Sequence, residues 1–158
     1  MFSMKRNRAA GIVIREGKIL LMHRINKGDE YWVFPGGGQE KGETPDQTAV
    51  REIAEETTVR VKAGKLLYHI TWDTAEENFF YLCEYLSGEP RLDENSEEFA
   101  KAQGGEQVYE PSWVEIGKIA NLKLYQLEVR DLLLRDYQAG FLDQTQELFI
   151  KLAERRHK

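Results

Sequence analysis

Cysteine is almost absent from this chain, which limits what can hold it together. Cys83 is the only one among 158 residues, so no intrachain disulfide can form and stability must come from a packed core. It lies in an apolar run and reads as a small buried hydrophobe rather than a reactive thiol. No apolar stretch approaches the ~20 residues of a membrane span, and the first residues lack the apolar centre of a secretion signal. A cytoplasmic location with no membrane partner is expected. A basic surplus is missing too: 27 acids face 22 Lys and Arg, a net charge of -5. General nucleic-acid binding is disfavoured, because neutralising phosphates needs a basic surface. The three histidines, His23, His69 and His157, have no mutual metal-ligand spacing. Internal repeats and low-complexity tracts are absent as well.

What is present fits one soluble globular domain over residues 1–158. The chain is 41% hydrophobic and 31% charged, and it is long enough to bury a proper core. Acidity is concentrated: residues 40–56 hold six acids against two bases, and residues 76–98 hold eight against Arg91 alone. A substrate bearing several phosphates would need metal ions to approach the first cluster.

Runs 9–15 and 18–24 are apolar and β-branched, with Glu16-Gly17 between them as a hairpin signal. A polar loop over 25–30 leads to a short aromatic strand, Tyr31-Trp32-Val33-Phe34. Extended chain is expected again over 59–61, 66–72 and 79–86, with a polar connection at 73–78. The stretch 89–110 reads as a long acidic loop, a type that is usually functional or disordered. A short strand over 113–116 and a helix over 124–137 follow, with Gly140 as its stop. Asp143 is expected to cap an appended last helix over about 143–156, carrying Leu148 and Leu152 on one side and the basic tail Arg155 to Lys158 at its dipole-favoured end.

The informative stretch runs from Gly37 to Val59. Thr44 can N-cap a helix, Pro45 suits the first helical position and Gln47 completes a capping box. At 100° per residue Ala49, Val50, Ile53, Ala54 and Thr57 share one arc, while Glu52, Glu55 and Glu56 share another. One face packs and the other gathers carboxylates. Three like charges at i,i+3 and i,i+4 cost roughly 0.2–0.5 kcal/mol per pair unless something neutralises them. Oxygen ligands of this kind on a rigid helix suit Mg²⁺ or Mn²⁺. Ahead of the helix, Phe34-Pro35-Gly36-Gly37-Gly38 forces a sharp turn whose backbone can approach a ligand closely.

In this register the segment resembles the Nudix box: glycine, five residues, Glu, seven residues, then Arg-Glu-aliphatic-x-Glu-Glu-x-Gly-aliphatic. Gly37, Glu43, Arg51, Glu52, Ile53, Glu55, Glu56 and Val59 match. Thr58 departs, standing where the family has a glycine in left-handed conformation, so either the helix ends differently or Thr58 is strained. The resemblance is to MutT-like Nudix hydrolases. It implies an α/β fold, an α/β/α sandwich with a mixed sheet and the box as a loop-helix-loop. It also implies hydrolysis of a nucleoside diphosphate derivative by water attack at phosphorus, assisted by Mg²⁺ or Mn²⁺. Glu52, Glu55 and Glu56 match the family's metal positions, with the Gly36 carbonyl often added, and Glu52 is the candidate base. Arg51 and Glu43 match a pair that orients the box. A further metal carboxylate often comes from the loop ahead of the last strand; Glu106 is best placed, with Glu110, Glu98 and Glu97 as rivals. For substrate contacts the candidates are Arg24, Tyr31, Trp32 and Phe79. The extra marks of ADP-ribose, dinucleoside polyphosphate and coenzyme A branches are missing, which leaves a nucleoside triphosphate as first expectation. A nucleotide-sensing module without catalysis is the rival from another class, and an RNA-end hydrolase is disfavoured by the acidic charge. The oligomeric state stays open, a homodimer included.

Overall fold

The structure, a computed structural model, describes residues 6–92, 94–95, 97–104, 107–141 and 143–151. The chain opens with a hairpin, β1 (Arg8–Arg15) and β2 (Lys18–Asn26), turned at Glu16 and Gly17, both with positive φ. Next come β3 (Asp29–Val33), the glycine strand β4 (Gly36–Gly38) and helix α1 (Pro45–Thr57). The expected loop at 25–30 is instead a second tight hairpin, because Lys27 and Gly28 both take the left-handed conformation and β2 runs on to Asn26.

Beyond α1 lie β5 (Arg60–Trp72), β6 (Glu77–Ser87), α2 (Glu97–Ala102), β7 (Gln107–Glu115), a 3-10 turn (Ile116–Asn121), β8 (Leu124–Tyr125), α3 (Leu127–Ala139) and β9 (Gln146–Ile150). The strand order is β8-β3-β2-β1-β6-β5-β9, with β4 beside β1 and β7 beside β2. It is a mixed sheet: β1–β6, β3–β8 and β5–β9 are parallel and the remaining pairs antiparallel.

Both faces of the central strands are covered, as continuous apolar runs require. Ile12, Ile19 and Leu21 point into a core shared with Ile116, Ile119, Val129 and Leu133. Val13 and Leu20, one residue along, point into a second core with Ile53, Val59, Val61 and Cys83. The α/β/α sandwich expected from the resemblance is the observed architecture. Gly11 lets α1 settle against β1, because a methyl there would overlap the Ile53 side chain. Burying Ile53 contributes about 1.5–3 kcal/mol to holding α1 in place. Burial also pushes the Cys83 thiol up to about 12, so it stays protonated and inert near neutrality.

Three further expectations need correction. The glycine stretch, expected to turn sharply, is over Gly36–Gly38 a short buried strand paired with β1, which the absence of side chains allows to lie against Ala9 and Ala10. The last helix over 143–156 is not formed where the chain is described: Gln146–Ile150 is a strand parallel to β5. Leu148 and Ile150 are half-buried and pack on the core, whereas Glu147 and Phe149 face out. That two-residue alternation answers the open edge of β5, and a helix could not supply its backbone hydrogen bonds. Leu152 and the basic tail lie outside the described residues. The acidic loop over 89–110 in turn contains α2 and the first residues of β7.

Thr58 adopts the left-handed conformation (φ 63°) at the C-cap of α1, its N–H donating to the Ala54 carbonyl. Its hydroxyl donates to the Glu89 carbonyl at 2.8 Å. Left-handed geometry costs a non-glycine residue about 1–2 kcal/mol, against about 0.5–1.5 kcal/mol from the hydrogen bond. Thr58→Gly is therefore expected to gain about 0.5 kcal/mol and Thr58→Val, which keeps the strain and drops the hydroxyl, to lose about 1 kcal/mol. Urea unfolding midpoints of the three proteins check this.

Candidate active site

The glycine strand and α1 form one unit held by Arg51. Its Nε donates to Glu43 Oε2 at 2.6 Å and its Nη2 to Glu43 Oε1 at 3.0 Å, a two-pronged pair across the box. The Nη2 also donates to the Gly38 carbonyl at 3.0 Å, tying helix to glycine strand. Its Nη1 serves Glu52 at 2.9 Å and Glu55 at 3.2 Å. At the helix start the Thr44 N–H donates to Gln47 Oε1 at 3.0 Å, the expected capping interaction.

Hydrogen bonds from Arg51 hold the Glu43 carboxyl down at about 2, against partial desolvation. A depressed carboxylate stabilises the fold above its ordinary value of 4.5, and that contribution is lost as pH falls toward 2. Glu43→Gln is expected to lower stability by about 1.5–3 kcal/mol at pH 7, the worth of hydrogen bonds to a charged group. The gap from wild type should close as the pH approaches 2. Urea titrations at several pH values measure both.

Glu52 lies beneath Gly37 so closely that a Cβ there would sit 2.6 Å from Glu52 Oε2. Burial raises the Glu52 carboxyl, with Glu55 and Glu98 adding to it against the pull of Arg51. Glu56, one turn on, is driven well above the usual carboxylate range by burial, then by Glu52 and Glu98, with the Gly36 amide offsetting part of it. Glu98 comes from α2. It is the rival that the structure brings to Glu52 and Glu56; Glu106 lies outside the described residues, and Glu110 is exposed on the opposite face of β7 from Tyr109. Glu55 is more exposed, at 57% of its side chain, and pairs with Arg51.

Glu56, Glu98 and Gly36 border a cavity of about 250 Å³, whose other walls include Arg8, Arg24, Lys101 and Tyr109. A smaller cavity of about 110 Å³ adjoins it, sharing Arg8, Phe34 and Gly36 and adding Phe79, Tyr125 and Gln126. Of the expected substrate contacts, Arg24 and Phe79 border these cavities. Tyr31 stands beside Arg24, its ring centroid 5.5 Å from the guanidinium. Trp32 faces the other way, stacked on His23 at 4.3 Å and packed on the core. Arg8 and Lys101 escaped sequence reasoning: only sheet register places Arg8 beside the glycine strand, and α2 was read as loop.

The donor set suits a divalent cation in charge and chemistry. It offers carboxylate oxygens, and Glu56 and Glu98 have no ion-paired cation among the described residues. In this geometry no three acidic, His or Cys side chains among the described residues close around one point. Glu52, Glu56 and Glu98 thus lie near one another without closing a metal site among the described residues.

Comparison with known proteins agrees with this construction. The NUDIX domain family model matches residues 5–134. Diphosphoinositol polyphosphate phosphohydrolase 3-alpha of Mus musculus is 47% identical over 53 residues, 34% of this chain and 32% of that protein. An RNA pyrophosphohydrolase of Sphingopyxis alaskensis is 33% identical over 81 residues, 50% of this chain and 49% of its own. These matches thus span a third to a half of the relatives' lengths. A solved NUDIX hydrolase from Nitrosomonas europaea superposes with a TM-score of 0.71 at 18% identity, covering 96% of this chain and 81% of that one, a likeness of fold. With the box in register on its helix, the sandwich in place and the family model matching most of its length, this chain belongs to the Nudix family.

Proposed function

We propose that the chain is a metal-dependent hydrolase of the phosphoanhydride in a nucleoside diphosphate derivative, a nucleoside triphosphate first among them. The observation that carries the reading is the meeting of Glu56 and Glu98, from two separate helices, at the wall of one cavity beside the glycine strand. Glu52, Glu56 and Glu98 are the residues that would hold Mg²⁺ or Mn²⁺, with Glu55 and the Gly36 carbonyl as further donors. A cation held there would neutralise charge on the phosphate oxygens and would lower the pKa of the attacking water.

The chain's own groups do the rest. Gly36 lets the glycine strand lie close against β1, and Gly37 leaves room for the Glu52 carboxyl. Arg51 holds one oxygen of Glu52, leaving the other to take a proton from the attacking water. As the water oxygen bonds to phosphorus, the phosphorus bond to the leaving phosphate breaks, and that oxygen keeps the electron pair.

The test is a panel with Mg²⁺: nucleoside triphosphates, ADP-ribose, nucleoside diphosphate sugars, a diphosphoinositol polyphosphate and a triphosphorylated RNA, with products identified. Turnover of at least one nucleotide, abolished by EDTA, is expected. Absence of turnover across the panel, with wild type indistinguishable from Glu56→Gln, would favour a nucleotide-sensing module instead.

A further inference from the structure

Strand β9 leaves one edge of the sheet open. It stands last in the strand order, paired on one side with β5, and no strand among the described residues lies on its other side. The Ile150 carbonyl accepts from the Asp73 N–H at 3.1 Å, so Gln146, Leu148 and Ile150 direct their backbone groups toward β5. Glu147, Phe149 and Lys151 alternate with them and direct theirs outward. The side chains of these three are exposed as well, and Phe149, at 83%, is the most exposed large hydrophobic among the described residues.

An unpaired edge is a template for another strand, and proteins usually guard it with charge or proline. Here the charges invite a copy of the same strand. Glu147 and Lys151 stand two residues to either side of Phe149 and carry opposite signs. When a strand pairs antiparallel with its own copy, a two-fold axis passes through one position and reverses the order of the others. An axis at Phe149 sets the two Phe149 rings opposite each other and each Glu147 opposite the other copy's Lys151. It also matches outward-directed backbone groups to one another, as hydrogen-bonded pairs require. Moving the axis to Leu148 or Ile150 sets Phe149 against a charge, and moving it to Glu147 or Lys151 sets like charges opposite. Glu147 contacts His69 through Oε2, which leaves Oε1 for the lysine. Lys151 is in no ion pair among the described residues.

We propose that β9 is a self-association edge: two copies of this chain pair antiparallel along it, about an axis at Phe149, and join their sheets into one. On the outer face the Phe149 rings shield each other from water between flanking ion pairs. On the inner face each Leu148 meets the other copy's Ile150 and continues the apolar layer that both already pack on. A second copy fits better than a foreign strand, because the charge pattern complements itself when reversed.

The test is sedimentation equilibrium of the full chain at micromolar concentration. Wild type should be a dimer. Phe149→Asp, which sets two carboxylates at the axis, should raise the dissociation constant about 100-fold or more, and Lys151→Glu about tenfold. Both side chains are exposed, so these variants keep the fold of the single copy. Oxidative cross-linking reads the register. Residues opposite each other in a hydrogen-bonded pair have Cα atoms about 5.5 Å apart, within disulfide range. Phe149→Cys should therefore form a covalent dimer and Lys151→Cys, which faces Glu147, should not, while the buried Cys83 takes no part. A monomeric wild type, or a dimer that Phe149→Asp and Lys151→Glu leave intact, overturns the proposal. So does cross-linking at position 151 as readily as at 149.

Discussion

Glu56→Gln lowers kcat about 10³-fold, roughly 4 kcal/mol of transition-state stabilisation, while Glu55→Gln lowers it about fivefold or less. Adjacent residues of one acidic run should thus differ by two orders of magnitude. Glu56 borders the cavity, faces Glu52 and Glu98, and is in no ion pair among the described residues, Arg8 offsetting only part of the effect of its burial. Amide substitution removes the charge that would hold a metal ion there. Glu55 is exposed and already answered by Arg51 at 3.2 Å, and a surface ion pair is worth about 0–1 kcal/mol. Steady-state rates at saturating Mg²⁺ for both variants decide the matter. Comparable losses at the two positions would mean that Glu55 turns inward when a cation binds.

The second large effect separates neighbouring glycines. Gly36→Ala is expected to destabilise the protein by about 3 kcal/mol or more, because the added Cβ lies 2.6 Å from the Ala10 Cα and meets main chain that cannot move aside. Strand β4 would have to leave β1. Gly37→Ala instead meets the Glu52 carboxyl, the movable end of a side chain. Its stability should stay within about 1.5 kcal/mol of wild type while kcat falls at least about 100-fold, since displacing a positioned group by about 1 Å costs that much. Thermal melts and initial rates on both variants read the two quantities separately. Full activity in Gly37→Ala would show that Glu52 works from somewhere other than beneath the glycine strand.

Local chemistry was legible along the chain. The hairpin at Glu16-Gly17, the start of α1 at Thr44, its two faces and the stop at Gly140 all follow from short-range preferences the structure does not override. Thr58 shows a preference overruled: the left-handed site persists with a β-branched residue, because the preceding helix and the Glu89 carbonyl impose it. The misread segment over 143–156 fails for a related reason. Leu148 and Leu152 at helical spacing compete with Leu148 and Ile150 at strand spacing, and the free edge of β5 decides between them.

What the sequence by itself determined was the box: a capped helix with Glu52, Glu55 and Glu56 on one side, within reach of rules that span a few residues, with the tie from Arg51 to Glu43 implied by the family resemblance. Which carboxylates share a space, and what faces them, was settled by tertiary structure. Glu98 and Lys101 share a cavity with Glu56 and Arg24 because α2 packs beside β7, and no spacing along the chain encodes a distance across a sheet. Proximity between residues tens of positions apart is set by sheet register and packing, and those depend on every strand at once.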